Sequence, residues 1–307
     1  MKQLAAVDLD FKALLLWYSE NENAFVVADQ QRGFTLPIAE FTRPRQLGPA
    51  REPDPLFPCR LPLPESLIAE FSAVTWHGFG FLTASEYDVA IGSDGKRCGD
   101  LLRTLYYGPD YGLYVRHKHT GLIVSLRSGS LELLRFQNDA FELIATTRTR
   151  GRAALCFASH ATEPMIAYGD NYGAFHIQRF TADGFGTASK IDSKERKAAG
   201  VEFIDGDRLL TGGMGYLSVY GKAGKKWKLL SEASLAVRSF HWHSDSQRIV
   251  VNGGRNGLSV LRLQGDSIKV EDSLQTDSAI DQISLNGAGD LLAASLQNCG
   301  TVQLYQL

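Results

Sequence analysis

One short unit, a glycine followed by alternating apolar positions, returns through this chain at nearly constant spacing. It stands at Gly129 (Gly129-Ser130-Leu131-Glu132-Leu133), Gly173 (with Phe175 and Ile177), Gly215 (Leu217, Val219), Gly257 (Leu258 to Val260) and Gly300 (Val302, Leu304), at intervals of 44, 42, 42 and 43 residues. One step of 42 before Gly129, Tyr87 opens Asp88-Val89-Ala90-Ile91 with the same alternation but no glycine. Gly33, before Phe34-Thr35-Leu36, begins the first copy, 54 residues ahead of Tyr87. Alternation with period two marks a strand, and a fixed period of this length marks a stacked array of repeats.

Other strands keep register with that unit. Ahead of it lie nearly continuous apolar runs, Phe81 to Ala84, Leu122 to Ser125, Leu209 to Gly213, Ile249 to Gly253 and Leu291 to Ala294. Such runs suit strands covered on both faces. Earlier still come apolar triplets, Phe71, Val74, Trp76; Ala198, Val201, Phe203; Val237, Phe240, Trp242; and Ile280, Ile283, Leu285. A fourth, more polar strand follows the unit, as in Phe141 to Ile144, Trp227 to Leu230 and Ile268 to Glu271.

Four short strands per period predict an all-β chain of four-stranded antiparallel blades, each burying its faces only against its neighbours. Seven copies then close one seven-bladed β-propeller over residues 1–307. In period and strand pattern the chain resembles the WD-repeat family along essentially its whole length. The resemblance implies the fold and a tendency to bind proteins. The signature dipeptides are missing, since Leu261-Arg262, Tyr220-Gly221 and Tyr305-Gln306 stand where Trp-Asp would, so the family's Asp-His-Ser/Thr-Trp network is not carried over. The last copy ends on its third strand at Thr301 to Leu307, and residues 1–8 are expected to add the outer strand, closing the ring and removing a free edge.

The stretched interval between the first two copies coincides with a change in composition. Eight of the ten prolines lie between Pro37 and Pro64, which reads as an insertion over 37–66. The run Thr42 to Pro55 cannot pair centrally in a sheet, because proline lacks the donor. It is expected as an extended surface loop folded over the first blade, with a docking peptide anchored at Leu56 to Pro62 as the alternative.

A net charge of -2 over 307 residues with 44% hydrophobic content fits a globular chain with a sizeable core, and argues against nucleic-acid binding by bulk attraction. Cys59, Cys98, Cys156 and Cys299 show no CxxC pairing, and so read as thiols of a reducing compartment. Asp8 and Asp10 interrupt the apolar start before a signal-peptide core forms, and no run reaches the length of a membrane span. A cytoplasmic location is therefore expected, with no membrane partner.

Histidines recur where the first strand ends, at His77, His160 and His243, with His117 and His119 nearby. Alternate blades are too far apart to share an ion, so these are read as turn residues. His117-x-His119 and His241-x-His243 each place two imidazoles on one strand face, but no third ligand lies at linked spacing. No metal and no cofactor are called for. There is no nucleophile elbow, phosphate loop or zincin motif, and no catalytic residue is assigned.

Charge is uneven: residues 145–238 hold fourteen Lys or Arg against nine Asp or Glu. Arg150, Arg152, Arg196, Lys197 and Arg238 lie in connections entering successive first strands. In a WD-type blade these share one end with the turns before each repeat glycine, which supply Tyr172, Met214, Tyr216 and Arg255, while Tyr107 precedes the third blade. Arg, Met and aromatic side chains together compose a protein-binding surface. The expected function is a non-enzymatic scaffold or adaptor binding one or more proteins through these loops. The alternatives are an enzyme or small-ligand binder at the channel mouth, and a single-stranded nucleic-acid binder, which the acidic remainder of the chain disfavours.

Overall fold

The structure is a computed structural model and describes residues 1–13, 15–29, 32–47, 112–116, 120–127, 129–137, 140–149, 154–170, 172–193, 197–224, 226–297 and 299–307. The chain is all-β, built of several antiparallel sheets of four strands. Two single 3-10 turns, Ile38–Glu40 and Gly254–Asn256, interrupt the strands. Among the described residues no helix is long and apolar enough to cross a membrane.

Two compact units account for the chain, one from its two ends (Met1–Val74 with Ala236–Leu307) and one from its middle (Thr75–Leu235). The first contains three sheets. One is β2 (Leu15–Ser19), β3 (Ala24–Ala28), β4 (Gly33–Pro37) and β5 (Arg45–Gln46). The next is β19 (Ser239–His243), β20 (Arg248–Asn252), β21 (Leu258–Gln264) and β22 (Ser267–Leu274). The third is β23 (Ile280–Leu285), β24 (Leu291–Leu296) and β25 (Thr301–Gln306), with β1 (Lys2–Asp8) outermost.

The second unit also has three sheets. They are β6 (Gly112–Arg116) to β9 (Ala140–Arg148) through β7 (Ile123–Arg127) and β8 (Ser130–Gln137); β10 (Ala154–Ser159), β11 (Met165–Asp170) and β12 (Ala174–Thr181); and β15 (Ala198–Phe203) to β18 (Lys226–Ala233) through β16 (Arg208–Gly213) and β17 (Tyr216–Ala223). The middle sheet departs from four strands, because both β13 (Gly184–Phe185) and β14 (Ser189–Ser193) pair with β12. A turn at 182–183 folds β13 back on the end of β12, and β14 then takes the outer place along its first half.

The strands expected around Gly33, Gly129, Gly173, Gly215, Gly257 and Gly300 are all present as the third members of these sheets. The copy opening at Tyr87 lies outside the described residues. Of the 37–66 insertion, residues 37–47 are described. Arg45 and Gln46, expected in a loop, pair as an edge strand with Thr35 and Phe34. Pro44 flanks this pairing, and both strand residues are exposed, as suits an edge next to proline.

Cores form where one sheet packs on the next within each unit. Val124, Leu131 and Leu133 meet Phe157, Ile166 and Tyr168. Val250, Leu258 and Val260 meet Ile280, Ile283, Leu292 and Tyr305. Leu261, Tyr220 and Tyr305, standing where the resemblance would place Trp, are all buried. Each such side chain contributes about 1.5–3 kcal/mol by leaving water.

The repeat glycine has a stereochemical role at the entry to the third strand. Gly257 lies at φ +77, and a Cβ there would collide with the carbonyl of Leu274 at the end of β22. At Gly300 the collision would be with the Leu9 carbonyl, and the Phe11 carbonyl would stand 2.6 Å away. The glycine carbonyl in turn accepts the first N–H beyond the outer strand: Leu47 to Gly33 at 2.8 Å, Thr149 to Gly129 at 2.8 Å and Leu9 to Gly300 at 3.0 Å. The third and fourth strands also shift register at matching places, Leu133/Leu134 on β8, Val219/Tyr220 on β17 and Val260/Leu261 on β21. The β25–β1 pair shifts at Leu304/Tyr305, four residues past Gly300. Residues 2–8 thus occupy the outer place of the last sheet with the hydrogen bond and bulge of the other outer strands, as expected for residues 1–8. Replacing Gly257 with Ala should cost about 1–3 kcal/mol in backbone strain, with the collision added. Urea denaturation should show the midpoint falling with little change in slope.

Candidate functional site

In the second unit, two connections from a second to a third strand place large apolar side chains in water. Tyr172 is 53% exposed and Met214 is 65% exposed. Both tips are tightly held. The buried Asp170 carboxylate accepts the N–H groups of Tyr172 and Ala174, each at 2.9 Å, which closes the turn beneath Tyr172. At the other tip Met214 donates its N–H to the Lys197 carbonyl at 3.3 Å.

The two tips stand on adjacent sheets. A Cβ on Gly169, next to Asp170, would lie 2.7 Å from the Ala198 Cβ, so the backbone beneath Tyr172 packs against the strand that Lys197 enters. A Cβ on Gly213 would lie 2.6 Å from both the Lys197 carbonyl and the Tyr216 ring. The exposed Lys197 thus has its backbone beside the turn that bears Met214. Tyr216 is buried, at 3% exposure, and belongs to the core beneath them. Its expected place among surface contacts is corrected: it follows its glycine rather than preceding it, so strand alternation turns it inward.

Arg238 and Arg255 come together in the first unit. The Arg238 Cδ would lie 3.6 Å from a Cβ on Gly254, and the exposed Arg255 is the next residue. Arg238 also donates to Asp281 at 2.6 Å, and Lys12 approaches the other oxygen of that carboxylate at 3.2 Å. Neither Lys12 nor Asp281 stood out in the sequence, because each lies in a different copy from Arg238. Tyr107, Arg150, Arg152 and Arg196 lie outside the described residues.

At the opposite ends of the hairpins, the histidines hold turns. His160 Nδ1 accepts the N–H groups of Thr162 at 3.2 Å and Glu163 at 2.9 Å, with its ring edge-on to Phe203 at 5.0 Å between centroids. His243 binds Ser246 Oγ at 2.9 Å through Nδ1 and reaches the Gly287 carbonyl, one sheet on, at 2.9 Å through Nε2. The turn role expected for these residues is the one observed. His117 and His119 fall outside the described residues, as does His77. Among the described residues no group of three or more His, Cys, Asp or Glu is placed to hold a metal ion. Burial pushes the Cys156 thiol up to about 12, so it is not a nucleophile near neutral pH.

Compared with known proteins, the chain matches no family model, and no curated protein matches it in sequence.

Burial holds the His160 imidazole below its ordinary value of 6.5, an effect the nearby Glu163 charge only partly opposes. The neutral ring is the form that accepts two backbone N–H groups. Below about pH 6.5 the unfolded chain gains a proton that the folded chain resists, so the contribution is complete above that pH and is lost as pH falls. Urea midpoints should drop between pH 7.5 and 5.5. His160→Asn, which keeps an acceptor but does not titrate, should flatten that drop; an unchanged pH profile would assign the effect to another group.

Proposed function

We propose that the chain is a seven-bladed β-propeller of the WD-repeat type, and that it serves as a non-enzymatic scaffold binding one or more proteins through the loops at one end of its blades. Six sheets built on one meander, each with its repeat glycine at the third strand, support the architecture. The strand contributed by residues 2–8 to the last sheet supports ring closure. A cytoplasmic setting follows from the unpaired pattern of the cysteines.

The observation that carries the binding role is the pair of exposed apolar side chains, Tyr172 and Met214, at the turns of two adjacent sheets. Each tip has a backbone N–H hydrogen-bonded within the fold, which reduces the ordering entropy lost on contact. Tyrosine and methionine supply large contact area with adaptable packing, and together with a cation they form the composition of an interface centre. In the first unit, taken by itself, Arg238 and Arg255 form a second cationic group, with the Asp281 carboxylate accepting from the Arg238 guanidinium.

Affinity purification of the chain followed by mass spectrometry should recover a defined protein partner. The double substitution Tyr172→Ala and Met214→Ala should lower that recovery about tenfold or more, equivalent to roughly 1.4 kcal/mol. Because both side chains are exposed, thermal melting should stay within about 2 °C of the parent chain, in line with a surface change of about 0.5 kcal/mol. Full recovery with the double variant would remove these tips from the binding surface.

A further inference from the structure

We propose that Lys12, Arg238 and Arg255 form a carboxylate-binding site at one end of the first unit, which receives an acidic segment of a protein partner, with Asp281 holding two of the three cations in place. From the protein-binding reading above it takes only the class of partner; its residues are separate from Tyr172 and Met214.

Three consecutive sheets of that unit build the site. Their first strands, β19, β23 and β2, pack in succession. Arg238 precedes β19, Asp281 lies in β23 and Lys12 precedes β2. The Asp281 carboxylate, 14% exposed, accepts from Arg238 at 2.6 Å on one oxygen and meets Lys12 at 3.2 Å on the other. Buried Asn252 fixes the frame beneath them. Its carbonyl accepts the Arg238 N–H at 2.8 Å, and its side-chain amide donates to the Asp281 carbonyl at 3.1 Å. Its side-chain oxygen accepts the Gly254 N–H at 2.7 Å, in the turn that bears Arg255. The Arg238 stem passes over that turn, its Cδ 3.6 Å from where a Cβ on Gly254 would stand. One buried side chain thus sets the backbones of all three charged positions on these two sheets.

Donors remain once these internal bonds are made. Arg238 gives Asp281 one of its guanidinium nitrogens, and Arg238 and Lys12 keep 37% and 45% of their side-chain surface in water. The exposed Arg255 side chain makes no ion pair among the described residues, while its carbonyl accepts from Gln275 at 2.7 Å. Of the acids on neighbouring connections, Asp10 and Asp29 both bind Arg32. Asp277 is exposed and pairs with none of the three cations. Counted with Asp281, it leaves three cations facing two carboxylates, a surplus of one positive charge. That surplus matches the single charge of a carboxylate, which a guanidinium can grip through two parallel N–H bonds. A phosphate group near its dianion form would be repelled by Asp281 more strongly. Among the described residues of this unit the exposed large apolar side chains are Leu4 and Val270, so no exposed aromatic ring is offered for stacking bases.

The test uses the full chain and a fluorescein-labelled peptide of alternating Glu and Gly, read by fluorescence anisotropy, beside the same peptide with Gln in place of Glu. The Glu peptide should bind and the Gln peptide should not. Arg255→Glu breaks no ion pair of the fold and should weaken binding about tenfold or more. Reversing two exposed lysines of the other unit, Lys226→Glu with Lys228→Glu, should leave it unchanged. Carbodiimide activation of the bound peptide should join a Glu carboxylate to the Lys12 amine as an amide, located by mass spectrometry of tryptic fragments. Equal binding of the Gln peptide, indifference to Arg255→Glu, an equal loss with the Lys226 and Lys228 variant, coupling at lysines other than Lys12, or stronger displacement by oligouridine RNA or inorganic phosphate than by unlabelled Glu peptide would each overturn the proposal. The Tyr172→Ala, Met214→Ala variant should bind the peptide as the parent chain does. This site can therefore fail while partner recovery still depends on those two tips, and the tips can fail while the peptide still binds.

Discussion

The structure depends on a close approach of two backbones where a third strand begins, seen at Gly257 and Gly300. There the chain leaving the outer strand passes so near that the glycine has no space for a side chain. At Gly257 and Gly300 this contact is with the carbonyls of Leu274 and Leu9. The hydrogen bonds from Leu47, Thr149 and Leu9 to the glycine carbonyls at positions 33, 129 and 300 fix where the outer strand ends. A bulge four residues or so further along then adds twist, so that each sheet fits the curved face of the next.

Backbones also approach closely at the candidate site, at Gly169 against Ala198 and at Gly213 against the Lys197 carbonyl, which accepts the Met214 N–H. Around Gly173 and Gly215, Tyr172 and Met214 precede the glycine and stand in water, whereas Ala174 and Tyr216 follow it and are buried.

Polar side chains act mostly as local braces. Asp170 closes the turn under Tyr172, and Asn252 accepts the Gly254 N–H at 2.7 Å in the corresponding turn of another sheet. His160 and His243 serve the opposite ends, one binding the backbone of its own turn and the other reaching the next sheet. A buried acceptor that satisfies backbone donors stabilises a turn without requiring a long-range partner.

Among the described residues, the sequence by itself indicated the main strands of each copy and their order, because alternation and a repeat of 42 to 44 residues depend only on neighbours along the chain. It also indicated the outer strand supplied by residues 1–8. Tertiary structure decided which candidates reach solvent and which are engaged within the fold. Tyr216 went to the core, Arg238 to an Asp281 carboxylate 43 residues away, and Arg45 and Gln46 to an edge strand inside a proline-rich run. Those outcomes turn on how one sheet packs against the next, a relation between residues distant in sequence that no local pattern encodes.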